Sequence, residues 1–149
     1  YEPHPSRNYV KTLHGRISWN IPAGWRVCGE NLFAKHSIKY ENLVDYFQVF
    51  SVWNESNTCL SWDDTKVWAE LLELTTVPVL FRGVYNEDLI KELHKDFYEN
   101  DPCEGYVVRL AESFHYSKFK EAVGKYVRKG HVHTHGHWMR NQVEPNILK

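Results

Sequence analysis

Residues 25–53, WRVCGENLFAKHSIKYENLVDYFQVFSVW, contain two strand-like segments, the first of which carries a carboxylate. Alternating side-chain character over residues 25–34 predicts one strand, and residues 47–52 are apolar on both faces, as in a central strand. Glu30 follows Gly29 inside the first segment. Burying a carboxylate there costs free energy unless it binds a hydroxyl, a cation or a metal. The alternative is that Glu30 faces solvent at a strand edge.

The rest of the chain alternates further helices and strands. We expect helices at residues 7–17 and after the caps Ser61, Asn86 and Ser117, and strands at residues 77–85, 105–110 and 126–132. The expected buried stripes are Val67, Trp68, Leu71 and Leu72 after Ser61, and Leu89, Ile90, Leu93 and Phe97 after Asn86. Periodicity alone leaves α/β and α+β architectures open.

Composition predicts one globular domain. The chain has 149 residues, of which 42% are hydrophobic and 25% charged, and no apolar run is long enough to span a membrane. Its three cysteines are an odd number without metal-site spacing, which favours a reducing, cytoplasmic environment.

Net charge is −1, yet residues 115–149 hold seven Lys and Arg against two Glu. That excess indicates either a phosphate-binding face or solvated surface charge.

A second chemically distinctive segment is Cys103-Glu104-Gly105-Tyr106-Val107-Val108-Arg109. Gly105 allows another backbone to approach closely, and a carboxylate at a strand entrance, such as Glu104, is a suitable ligand for Mg²⁺. An ordinary strand with charged ends is the alternative interpretation of this segment.

Taken in order, these segments resemble a known superfamily. Gly29-Glu30, the aromatic strand at 46–52, the segment at 104–109 and residues 125–128 are similar to the later motifs of the covalent nucleotidyltransferases, which include ligases and capping enzymes. Residues 25–53 and the tail KYVRKGHVHTHGHWMRNQVEPN resemble the ATP-dependent RNA ligase family in particular. The resemblance implies an α+β, antiparallel-sheet nucleotidyltransferase domain (an ATP-grasp-like ligase adenylylation domain). Residues 1–149 would be its C-terminal portion, truncated at the N-terminus.

The resemblance also implies how a nucleotide is held. Glu30 matches the glutamate that contacts the ribose, and Phe50 matches the aromatic residue that stacks on adenine. Phe47 is the alternative stacking residue, because strand alternation puts it on the opposite face. Ser51 replaces the aspartate that usually follows the stacking residue.

Metal and phosphate contacts are implied in the same way. Glu104 matches the carboxylate that binds Mg²⁺ or Mn²⁺, and Lys125 matches the lysine that contacts the α-phosphate of ATP; these two are the expected catalytic residues. Val127 occupies the position of the usual second cation, so Arg128 or Lys129 is expected to supply that contact.

The family reaction joins RNA 5′-phosphate and 3′-hydroxyl ends and begins on a lysine in K-x-(D/N)-G, which becomes lysyl-AMP. No such motif occurs in this sequence, and Lys11, in Lys11-Thr12-Leu13-His14-Gly15, does not match it. We therefore expect the chain alone to be inactive and the nucleophile to come from a missing N-terminal segment, in cis or in trans. The alternatives are a non-catalytic remnant that binds nucleotide or RNA, and a relative of DNA ligases or capping enzymes.

Four histidines alternate near the C-terminus, at His131, His133, His135 and His137. On a strand they would share one face and could bind Zn²⁺ or Ni²⁺ opportunistically. Because no carboxylate in the row would orient the imidazoles, a physiological metal site is the less favoured interpretation.

Overall fold

The computed structural model describes residues 4–34, 40–93, 97–98, 101–127 and 144–148, with only the backbone described at 97–98 and 101–102. The described helices are α1 (Pro5–Ile17), α2 (Trp62–Leu71), α3 (Glu87–Leu93) and α4 (Phe119–Ala122), with 3₁₀ turns at Ser18–Asn20 and Tyr116–Lys118. The described strands are β1 (Arg26–Asn31), β2 (Phe47–Trp53), β3 (Thr58–Cys59), β4 (Thr75–Thr76), β5 (Phe97–Tyr98), β6 (Asp101–Pro102), β7 (Gly105–Arg109), β8 (Phe114–His115) and β9 (Val123–Val127).

A five-stranded sheet organises these elements. Its order is β1-β2-β3-β8, with β4 paired to β2, and every pairing is antiparallel except that of β2 with β4. Two antiparallel ribbons, β5–β6 and β7–β9, lie outside this sheet. This mixture of helices with a mainly antiparallel sheet confirms the expected α+β class.

One face of the sheet, which we call the core face, is covered by α1 and α2. Its buried side chains are Leu13, Ile17, Val49, Val52, Ala69, Leu72 and Leu74. Helix α2 begins where Ser61 Oγ accepts a hydrogen bond from the Asp64 amide at 3.1 Å, which is the expected N-cap. Removing these apolar side chains from water is the main stabilisation of this half of the molecule.

A β-bulge in β2 interrupts the alternation that the sequence suggests. Cys28 pairs with Ser51 but Gly29 pairs with Val49, so Phe50 has no partner on β1. Val49 and Val52 are therefore both buried on the core face although they are three residues apart. Phe50, between them, is 45% exposed. A bulge of this kind redirects a side chain without ending the strand.

The opposite face, which we call the site face, has a smaller apolar cluster. It consists of Trp53, Cys59, Phe114 and Ala122, with Cys28 and Val123 packed against them. Because β1 alternates, Arg26, Cys28 and Glu30 all belong to this face.

Several expectations about single elements were wrong. Within residues 77–86 the structure contains no strand, and Val79 and Val84 are exposed. The Val77 amide still donates to the Val49 carbonyl, but further along β2 the same edge is paired with β3. The stripe expected after Ser61 is only half right: Leu72 is buried and Trp68 packs against the core, whereas Val67 and Leu71 face solvent and the buried residues of α2 itself are Trp62, Thr65 and Ala69.

The later helices also differ from expectation. Asn86 caps α3 as predicted, accepting from the Leu89 amide at 3.1 Å, but α3 buries no residue and Phe97 lies in β5 instead. The turn before α4 is capped by the His115 ring, which accepts from the amide of Ser117, rather than by Ser117 itself. None of the helices in the described part of the chain is both long and apolar enough to cross a membrane.

Candidate functional site

Three of the residues singled out from the sequence come together at the site face. Glu30 lies on β1, and its carboxylate interacts electrostatically with Glu104 and Lys125. Burial raises the pKa of Glu30, the negative charge of Glu104 raises it further, and Lys125 lowers it. Because more than a third of Glu30 is exposed, this desolvation is partial. The result is a pair of carboxylates with one nearby ammonium group.

The β7–β9 ribbon brings Lys125 and Glu104 to this position. Lys125 pairs with Val107 on β7, and Glu104 immediately precedes β7. A side chain at Gly105 would collide with the carbonyl oxygen of Tyr126, so only glycine allows the two strands to approach as they do. Val123, two residues before Lys125 on β9, packs with the site-face cluster that includes Cys28. Cys28 is likewise two residues before Glu30.

Tyr40 is a fourth member of this cluster, and sequence reasoning missed it. Its phenol forms a hydrogen bond with the Glu104 carboxylate. Burial raises the pKa of Tyr40, and the charges of Glu104 and Glu30 raise it further, so the phenol stays protonated and acts as the donor. No periodic pattern marks Tyr40, which lies in a connection outside the regular elements.

Asn146, near the C-terminus, holds the segment around Tyr40 in place through hydrogen bonds. It is 2% exposed, and its Oδ1 accepts the Tyr40 amide at 2.8 Å, while its Nδ2 donates to the carbonyl of Leu32 at 2.8 Å and that of Ala34 at 3.3 Å. The Ile147 amide adds a 2.9 Å bond to the Tyr40 carbonyl. Because both backbone groups of Tyr40 are held, its phenol is directed towards Glu104 by a rigid support.

The two candidate stacking residues have different surroundings. A Cβ on Gly29 would lie 2.6 Å from Cζ of Phe47, so the Phe47 ring covers Gly29 and packs with the core face. Phe50 is exposed at the bulge, on the strand that pairs with the strand of Glu30. Of the two, Phe50 is therefore the ring that a flat ligand could reach.

Other sequence candidates contribute differently or lie elsewhere. Arg109 is turned away from Glu30: it donates to the Leu60 carbonyl at 2.8 Å and lies over the Trp62 and Phe114 rings, so it ties β7 to the sheet. Arg128, Lys129 and the histidine row at 131–137 lie outside the described residues.

The carboxylates of Glu30 and Glu104 suit a divalent cation whose remaining ligands are water or substrate phosphate. In the described part of the chain, no group of three or more His, Cys, Asp and Glu side chains is arranged around a common point. Burial is the main cause of the raised pKa of Glu30, and the negative charge of Glu104 adds to it; a nearby cation would offset both effects. Mg²⁺ is commonly held by only one or two carboxylates, together with water and substrate phosphates.

A family model described as RNA ligase matches residues 1–127, which include β1, β2, β7 and β9. The searches of curated proteins and of solved structures return no match.

Proposed function

Because this chain belongs to the RNA ligase family, we propose that it forms the nucleotide-binding part of an ATP-dependent adenylylation site in a nucleotidyltransferase domain. The observation that carries the proposal is the convergence of Glu30, Glu104 and Lys125, which come from separate segments of the chain and interact at one place. A ligase of this kind needs a base-binding surface, a ribose acceptor, a metal-binding carboxylate and a phosphate-binding cation.

The base and ribose are assigned to the sheet. Phe50 is an exposed ring on β2, and stacking on a base stabilises comparable complexes by about 1–3 kcal/mol. Glu30, on the paired strand, accepts a hydrogen bond from a ribose hydroxyl. Since Glu30 is partly desolvated, that bond is stronger than it would be in bulk water.

The metal and the phosphate are assigned to the ribbon. Glu104 holds Mg²⁺ or Mn²⁺ with the Tyr40 phenol fixing its orientation, and Lys125 contacts the α-phosphate. When bound, the metal ion neutralises charge on the phosphates. Lys125 is exposed, as a residue that meets a ligand phosphate must be.

In the reaction we propose, a lysine supplied from outside this sequence attacks the α-phosphorus of ATP and releases pyrophosphate. The AMP is then transferred to an RNA 5′-phosphate, which frees the lysine amine. Attack by an RNA 3′-hydroxyl forms the phosphodiester and expels AMP. Because the sequence has no K-x-(D/N)-G motif, a module that holds nucleotide without forming the covalent intermediate is the second candidate.

The test is to incubate the full-length gene product with α-labelled ATP and Mg²⁺ and to examine it on a denaturing gel. We expect a labelled protein band, and we expect its loss in Glu104→Ala and Lys125→Ala. Matched controls are Glu70→Ala and Lys66→Ala, which change exposed residues of α2 on the far side of the sheet and should retain the label.

Four results would contradict the proposal or a part of it. Full labelling of Glu104→Ala or Lys125→Ala would show that these residues do not hold ATP. A folded full-length protein that binds ATP without becoming labelled would support the second candidate. Label on the 149-residue chain alone would place the nucleophile within this sequence. Ligation of nicked DNA in preference to RNA, or transfer of GMP, would indicate a DNA ligase or a capping relative.

A further inference from the structure

A cluster of aromatic rings lies on the site face at the opposite end of β1 from Glu30. Trp53 contacts Phe114, Tyr116 and Phe119, with ring centroids 5.7, 5.9 and 6.3 Å away. Trp53 and Phe114 are buried, whereas Tyr116 is 56% exposed and Phe119 is 41% exposed. The buried pair therefore supports two rings that remain open to solvent.

A cation lies beside these rings. The Arg26 guanidinium is 4.6 Å from the Trp53 ring centroid and donates to Asn57 Oδ1 at 2.7 Å. Two further exposed cations, Lys118 and Lys120, flank Phe119 in the sequence. Among the described residues, none of the ion pairs involves these three cations. Their charge is thus available to an anionic ligand.

The cluster shares a surface with the candidate nucleotide site. Arg26, Cys28 and Glu30 are alternate residues of β1 and face the same way, so Arg26 is about 13 Å from Glu30 along the strand. Cys28, between them, packs with the site-face cluster, as does Val123 of β9. The strand therefore leads directly from the aromatic rings to the site that we assign to ATP.

We propose that Tyr116, Phe119 and Arg26 form a platform for single-stranded RNA, leading towards the adenylylation site. Bases stack on the two exposed rings, and Arg26 contacts a phosphate. Unpaired bases suit such rings because every base offers a flat face, whereas a duplex hides its bases within the stack. This proposal rests on the proposed function, because the RNA bound by the platform is taken to be the substrate of that reaction.

The test measures binding of a dye-labelled, 5′-phosphorylated single-stranded RNA oligonucleotide to the full-length protein by fluorescence anisotropy, with ATP binding measured separately. We expect Tyr116→Ala to weaken RNA binding about 5- to 150-fold, and Tyr116→Phe to keep most of it, because stacking needs only the ring. ATP affinity should not change. Tyr85→Ala, which removes a ring that is 67% exposed outside the cluster, is the matched control.

A second variant tests the phosphate contact. Arg26→Gln should weaken binding of all RNA sequences alike and reduce the slope of log affinity against log salt by about one. Circular dichroism of each variant identifies any that have unfolded. If Tyr116→Ala has unfolded, Arg26→Gln decides the question, because unchanged RNA affinity and salt dependence in that variant would overturn the platform.

The outcomes separate this proposal from the adenylylation site. Equal RNA affinity in the wild type, Tyr116→Ala and Tyr85→Ala overturns the platform even if ATP binds. No RNA binding by the folded wild type overturns it as well. RNA binding that depends on Tyr116 in a protein that does not bind ATP supports the platform and removes the adenylylation proposal.

Discussion

The core face and the site face of the five-stranded sheet differ in how far their side chains are buried. On the core face, Val49 and Val52 are fully buried beneath α1 and α2. Glu30, on the site face, and Phe50, at the bulge, are both exposed to solvent, although each lies on a strand that also contributes to the core. The bulge at Phe50 is what divides the two functions within β2. An apolar strand therefore does not imply that each of its residues is needed for folding.

The largest expected effect is on the core face. Leu72→Ala removes a side chain that is only 3% exposed, so we expect the free energy of unfolding to fall by about 2–5 kcal/mol. Its neighbour Leu71 is exposed, and Leu71→Ala should change stability by no more than about 0.5 kcal/mol. Urea denaturation of the two variants measures the contrast. Equal losses would mean that α2 is rotated relative to the arrangement described above.

The next contrast is between the two phenylalanines of β2. Phe47→Ala removes the ring that covers Gly29 and should destabilise the protein, towards the lower end of about 3–5 kcal/mol because Phe47 is only half-buried. Phe50→Ala should cost much less stability but weaken ATP binding about 5- to 150-fold. Urea denaturation and calorimetric titration with ATP separate the two effects. If Phe50→Ala binds ATP as the wild type does, Phe50 is not the stacking residue.

The smallest expected effect is the pH dependence at Glu30. Because the folded protein raises the pKa of Glu30 above its ordinary value of 4.5, the folded state disfavours the charged carboxylate. Protonated Glu30 therefore contributes favourably to the free energy of unfolding at pH values below that ordinary pKa. This contribution is lost as the pH rises through the pKa that Glu30 has in the folded protein. Glu30→Gln should therefore match the wild type near pH 4 and be slightly more stable at pH 7.

Urea denaturation at pH 4, 5.5 and 7 checks this dependence. A difference between Glu30→Gln and wild type that does not change with pH, or one that favours the wild type at pH 7, would contradict it. The same substitution should weaken ATP binding at pH 7, since a neutral amide is a poorer acceptor for a ribose hydroxyl than a carboxylate is. A gain in stability together with a loss of binding would identify Glu30 as a residue kept for its ligand.

Much of the local structure could be predicted from the sequence, because it depends on neighbouring residues. The first helix, the strands at Arg26–Asn31 and Phe47–Trp53, and the caps Ser61 and Asn86 were all predicted and confirmed. Features that depend on partners distant in the sequence were not. Residues 77–85 have β-forming side chains but form no strand, because strand formation depends on pairing and packing partners as well as on propensity.

The residues of the candidate site also include some that could be predicted from the sequence and some that could not. Glu30, Glu104 and Lys125 stand in recognisable motifs, and the structure brings them together. Tyr40 and Asn146 follow no motif or period, and the bond between them joins residues 106 positions apart in the sequence. Contacts of that separation can be found only in a folded chain. The roles assigned to Glu30, Phe50, Glu104 and Lys125 stay predictions, as does that of Arg128, which lies outside the described residues.

Asn146 links the proposed nucleotide site to the C-terminal part of the chain. The matched family region stops at residue 127, whereas the amide that holds Tyr40 comes from beyond that limit. A protease that removed residues 144–148 would leave the Tyr40 amide and the carbonyls of Leu32 and Ala34 without these partners, at a cost of about 1–3 kcal/mol for each group that stays buried. The Tyr40 phenol would then no longer be held in position to donate to Glu104, although Glu30, Tyr40, Glu104 and Lys125 would all still be present. Proteolysis within the C-terminal tail is therefore expected to weaken ATP binding while leaving Glu30, Glu104 and Lys125 intact.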